Sequence, residues 1–134
     1  MAEIALDCGY PASSLEERVY ALPNGMPQRC GILIYTATAG AQGTLGGLVG
    51  TASRFAQILE GLLKRSMICS NDPICADHQP ARHGGDRATH GAACHGCLLI
   101  AETSCAMRNL FLDRSLLVPT MSMEGASFFD LATR

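Results

Sequence analysis

The stretch from Cys69 to Cys97 constrains this chain most. It holds four of the seven cysteines and all four histidines, with several Gly, Pro and Asp, and no sustained apolar period of either the helical or the strand kind. A loop of that length does not order itself inside a compact domain by apolar packing, so something else must hold it. The cysteines fall in two pairs. Cys69-Ser-Asn-Asp-Pro-Ile-Cys75 has five residues between its thiols, Cys94-His-Gly-Cys97 has two, and 18 residues separate the pairs. Two thiol pairs joined by such a loop match the layout of a structural zinc site. Each turn offers two sulfurs from neighbouring backbone positions, and ligation would supply on the order of 10 kcal/mol of ordering free energy. Asp72-Pro73 provides a turn in the first pair, and Gly91 and Gly96 leave room for backbone around an ion. Inert buried cysteines and a CxxC redox pair are the competing readings of the same residues.

Cys105 lies near the start of an expected helix. It is an alternate ligand, a fifth candidate, or a small buried side chain. His78, His83, His90 and His95 crowd the loop and could substitute as ligands, although solvated histidines are the commoner case. Cys8 and Cys30 stand alone and read as packing residues. No His is followed two residues later by Glu, which weakens a zinc-deaminase reading. Four thiolates also leave zinc no open position for water, so such a site is structural and the chain is expected to be no enzyme.

Composition narrows the class further. A chain of 134 residues has room for one domain, residues 1–134, and for a core. Ten basic against twelve acidic residues give a formal charge of −2, which argues against a free-standing nucleic-acid binder. The longest apolar runs, residues 31–35 and 97–101, fall far short of a membrane span, and no basic region precedes an apolar stretch at the N-terminus. Frequent cysteines without export signals point to the cytoplasm.

The spacing of Leu15, Val19 and Leu22 behind Ser13 and Ser14, with Glu16 and Glu17 three residues on, predicts a short capped helix ending at Pro23-Asn24-Gly25. Gly31–Thr38 reads as a strand buried on both faces. A glycine loop follows, and then an amphipathic helix over residues 48–65, with Leu48, Ala52, Phe55, Ala56, Leu59, Leu62 and Leu63 in one stripe. A short helix is expected over 92–100 and a longer one over 105–118, with Arg108, Asn109 and Arg114 on its exposed side as candidate partner or phosphate contacts. Residues 121–134 form a tail. The expected class is α+β: a strand–Gly loop–helix unit, with a zinc-stabilised Cys-rich loop (69–105) packed on C-terminal helices. In the glycine loop, Gly43, Thr44, Gly46 and Gly47 sit between strand and helix, where backbone amides can hold an anion. The loop carries no Walker or dinucleotide pattern, and a tight turn explains it equally.

Several of these segments together resemble the MrfA-like zinc-binding domain family, in particular the DrmB branch of the DISARM anti-phage defence system. They are Leu6-Asp-Cys-Gly-Tyr-Pro-Ala-Ser-Ser-Leu-Glu-Glu-Arg-Val-Tyr20, Ile34-Tyr-Thr-Ala37, Gly43-Thr-Leu-Gly-Gly-Leu48, both cysteine motifs, Glu102-Thr-Ser-Cys105 and Asn109-Leu-Phe-Leu-Asp-Arg114. The likeness runs in order over residues 6–120. It departs at Ala106, where an acidic residue usually stands. The resemblance implies zinc ligands at Cys69, Cys75, Cys94 and Cys97, and a C-terminal fragment or very short member. It also implies a non-catalytic accessory role beside a helicase, carried on a separate subunit or on upstream domains of the same protein. Antiviral defence or DNA repair is then the setting, with DNA contact indirect. Two other functions fit the residues alone: a thiol redox protein using Cys94 and Cys97, and a direct DNA-binding module built on Arg82, Arg87, Arg108 and Arg114.

Overall fold

The computed structural model describes residues 1–21, 30–37, 47–79, 89–121 and 126–129. They fall into two compact units, Met1–Ile58 with Ile100–Arg108, and Leu59–Leu99 with Asn109–Arg134.

The first unit begins with α1 (Ala2–Cys8), which ends at Gly9 in the left-handed region with φ 72°. A residue without Cβ adopts that conformation at little cost, so the glycine closes the helix. Ile4, Ala5 and Cys8 of α1 bury against Leu15, with Tyr10, Ala12, Ile34, Leu48 and Ile58 packed around them. Burial pushes the Cys8 thiol up, in keeping with a packing role. Cys30, by contrast, is exposed.

Leu15 is 0% exposed and opens β1 (Leu15–Tyr20), not a helix. A single turn of 3-10 helix at Ala12–Ser14 precedes it, and β1 pairs antiparallel with β2 (Gly31–Thr36). The register sets Leu15 opposite Thr36 and Glu16 opposite Tyr35, whose hydroxyl donates to Glu16 Oε2 at 2.6 Å. The helical spacing of Leu15 and Val19 is thus overridden by pairing with a remote segment, because both fall on one face of a strand as well. Nor is β2 buried on both faces. With β1 its one strand neighbour among the described residues, it stays mostly exposed apart from Ile34.

The expected helix over 48–65 is present in three pieces: α2 (Gly47–Gly50), a 3-10 stretch at Thr51–Arg54, and α3 (Phe55–Ser66). Thr51 Oγ1 donates to Leu48 O at 2.6 Å and Ser53 Oγ to Gly50 O at 3.0 Å. Hydroxyls bonding three residues back, beside a glycine, tighten the middle into 3-10 geometry.

The second unit has a core of small residues. Leu63, Cys69, Cys75, Ala76, Ala92, Ala93 and Val118 are buried there, with Ser66, Arg114, Ser115 and Thr120. In place of the expected helices over 92–100 and 105–118 there are turns and single 3-10 turns at Glu102–Ser104 and Arg114–Leu116. Arg108, Asn109 and Phe111 have φ of 51°, 62° and 62°. Within the second unit the backbone bonds across chain segments: Phe111 N–H donates to Thr89 O, Gly91 N–H to Leu112 O and Arg114 N–H to Ala92 O. The Phe111 and Arg114 amides and the Leu112 carbonyl are thus satisfied on residues 89–92, so no helical ladder forms. Asp113 caps the last turn, accepting from Ser115 N–H and Oγ and from Ala92 N–H. From the tail, Phe128 N–H donates to Leu116 O. The class is α+β, and none of the described helices is long and apolar enough to cross a membrane.

Candidate metal centre

Two short turns carry the four cysteines. In the first, Asp72 N–H donates to Cys69 O (3.0 Å) and Cys75 N–H to Asn71 O (2.9 Å), with the Asp72–Pro73 peptide cis. In the second, Cys97 N–H and Leu98 N–H both donate to Cys94 O, at 3.0 and 3.1 Å. The four sulfurs of Cys69, Cys75, Cys94 and Cys97 all lie within 4.8 Å of one another. Three edges are 3.3 Å (Cys69–Cys94), 3.7 Å (Cys75–Cys97) and 3.7 Å (Cys94–Cys97). Sulfurs on a tetrahedron with Zn–S of about 2.3 Å stand about 3.8 Å apart, so the cluster fits that ion. It is too open for a disulfide, whose S–S bond is about 2.05 Å. Gly96 lets the turns close: a Cβ there would sit 2.6 Å from Ser70 Oγ and 3.4–3.5 Å from Cys69 and Cys94 sulfurs.

The surroundings treat the thiols unequally. Burial raises Cys75 and Cys97. Burial alone would raise Cys94 too, but hydrogen bonds from Asn71, Cys69 and the Gly96 backbone outweigh it and bring that thiol to about 7. Asn71 serves both turns, its N–H donating to Cys69 Sγ (3.4 Å) and its Nδ2 to Cys94 Sγ (3.3 Å). Asp72 accepts from Cys69 N–H on Oδ2 (3.1 Å) and from Arg114 Nη2 on Oδ1 (2.5 Å). The Arg114 guanidinium thereby holds the Asp72 carboxyl below its usual range.

Arg114 corrects the sequence reading. It is 1% exposed, the largest fully buried side chain among the described residues, and it lies on no exposed helix face. Its position in a turn rather than a helix directs it inward, where Asp72 and Ser66 O receive it. Arg108 is exposed and Asn109 half-buried, but not on a helix. Gly47 opens the single turn α2, and Gly43, Thr44 and Gly46 lie outside the described residues, as do His83, Arg82 and Arg87. Cys105 is buried in the first unit and is not one of the four clustered thiols. Nor are His78, His90 and His95. The rings of the first two lie with centroids 5.1 Å apart, tilted by 35°. Asn71 was not singled out by sequence. Its one signal there is an amide side chain two residues after the first cysteine, inside the turn.

Four thiols converging on one point from two turns define a zinc-binding domain. The chain belongs to the MrfA Zn-binding domain family, whose match covers residues 1–98 and so includes both cysteine pairs. It is also similar to the DISARM protein DrmB of Bacillus paralicheniformis, with 37% identity over 129 residues, 95% of this chain and 22% of that protein. The chain therefore spans about a fifth of the length of this curated relative.

Proposed function

We propose that the chain is a non-catalytic, zinc-stabilised interaction module of a helicase-associated antiviral defence assembly, with Cys69, Cys75, Cys94 and Cys97 as the ligands. The observation that carries this reading is the closure of the centre. Four sulfurs within 4.8 Å of one another are enough to occupy all four positions of a tetrahedral ion. Catalytic zinc keeps one position for water or substrate, whereas structural zinc does not. The ion then replaces the apolar interior that Ala76, Ala92, Ala93 and the buried serines do not provide. Similarity to a DISARM protein supports a defence setting; the helicase partner, as a separate subunit or as further domains, is what the family resemblance implies.

Elemental analysis of the purified chain tests the metal assignment. One zinc per chain is expected, with Cys→Ser at each of the four positions lowering occupancy and Cys105→Ser leaving it unchanged. Zinc at full occupancy in two or more of the four variants would overturn the ligand set. Co-purification with the helicase subunit of the same defence locus, lost on zinc removal, tests the partner role.

A further inference from the structure

Beside the sulfur cluster lies an open cavity of about 490 Å³, lined by Ser70, Asn71, Ile74, His78, His90 and Cys94 among others. Cys75 and Cys94 both reach it, so it is a route by which water, a competing chelator or an electrophile approaches the ligating sulfurs. Cys94 is only half-buried, while Cys69 on the other turn is buried. One side chain of the cavity wall bonds that accessible sulfur directly. Asn71 forms part of the wall, and its Nδ2 donates to Cys94 Sγ at 3.3 Å across the junction of the two turns, while its N–H bonds Cys69 Sγ on its own turn. A metal-bound thiolate that accepts an N–H loses charge density, becomes a poorer nucleophile and keeps its orientation toward the ion. Asn71 is itself exposed.

We propose that Asn71 is the positioning residue of the centre, pinning the Cys94 sulfur from the cavity side and so setting how fast the ion exchanges and which thiol reacts first. The inference rests on the zinc reading above and concerns rate and order of release rather than the identity of the ligands. Asn71 holds one sulfur of each pair. Loosening it frees the second turn to swing away while Cys69 and Cys75 still grip the ion.

The test uses the zinc-loaded full chain and the colorimetric chelator 4-(2-pyridylazo)resorcinol. Asn71→Ala removes the side-chain donor, and Asn71→Asp puts an acceptor of the same shape against a thiolate. Changes to groups that orient metal ligands typically cost about 10–100-fold in affinity. Zinc transfer about tenfold faster is expected in Asn71→Ala and faster still in Asn71→Asp, with unchanged far-UV circular dichroism and one zinc per chain before challenge. Alkylation by iodoacetamide during transfer, mapped by mass spectrometry, should then mark Cys94 ahead of Cys69. In the cobalt-substituted protein the thiolate charge-transfer band should shift in Asn71→Asp. Transfer within twofold of the unaltered chain in both variants, or alkylation led by Cys69, overturns the proposal. A parent chain without stoichiometric zinc overturns the ligand assignment instead, so the two failures are distinguishable.

Discussion

Replacing Asp72 by Asn should destabilise the zinc-loaded chain by about 3 kcal/mol, because it strands a buried cation. Arg114 is 1% exposed, and among the described residues its guanidinium has two partners, Asp72 Oδ1 at 2.5 Å and Ser66 O at the long distance of 3.4 Å. Its Nε has no partner among the described residues. Breaking a buried ion pair from one side costs about 3–5 kcal/mol. The side chain of Asp72 is 29% exposed, so water reaches one end of the pair and the lower figure applies. Asn retains an oxygen for Cys69 N–H, which isolates the charge. With a urea dependence of about 2 kcal/mol per M, the unfolding midpoint should fall by about 1.5 M. Asp72→Asn combined with Arg114→Met removes both charges and should recover at least half of the loss, since buried pairs are commonly replaceable by apolar residues. The acid limb has a definite sign as well. Arg114 lowers the folded-state pKa of Asp72, so this stabilisation is complete above the ordinary carboxylate value of about 4 and disappears as pH falls through the lower folded value. Asp72→Asn should lack that component, measured as the difference from the unaltered chain over pH 5 to 2. A midpoint shift below about 0.3 M, or a double variant as unstable as the two singles summed, refutes the reasoning.

Stripping zinc with a chelator should unfold the second unit while leaving hairpin signals of the first. Hydrogen exchange should show lost protection at Cys75, Cys97 and Leu98 amides, and retained protection there would refute it. Gly96→Ala places a methyl 2.6 Å from Ser70 Oγ and against two sulfurs, so zinc affinity should drop at least tenfold in a chelator competition. In the first unit, Leu15→Ala should cost about 2–4 kcal/mol by denaturant unfolding. Tyr35→Phe, which removes an exposed hydrogen bond, should leave the unfolding midpoint essentially where it is in the same assay.

The thiol pairs were legible in the sequence because each lies within a tight turn, where spacing along the chain fixes proximity in space. That the two turns meet followed from the absence of any apolar reason for residues 69–97 to be ordered. Strand β2 was legible from its run of Ile32, Leu33 and Ile34, and the helix from its stripe. Elements that depend on a remote partner were not. Leu15–Tyr20 satisfies helical and strand periods alike, and only pairing with β2 decides between them. Residues 105–118 carry a helical stripe, yet the amides of Phe111 and Arg114 bond to Thr89 and Ala92. Arg114 looked like a surface charge because nothing local announces that Asp72 lies opposite it.

A unit whose buried apolar side chains beyond Leu63 and Val118 are alanines and cysteines would have its integrity tied to metal supply. For each tenfold fall in free zinc below saturation, the ordered form loses about 1.4 kcal/mol relative to the disordered one. A host cell that withholds zinc would therefore lower the abundance of the folded module without touching its gene, whereas the half built around Leu15 would remain indifferent to the same change.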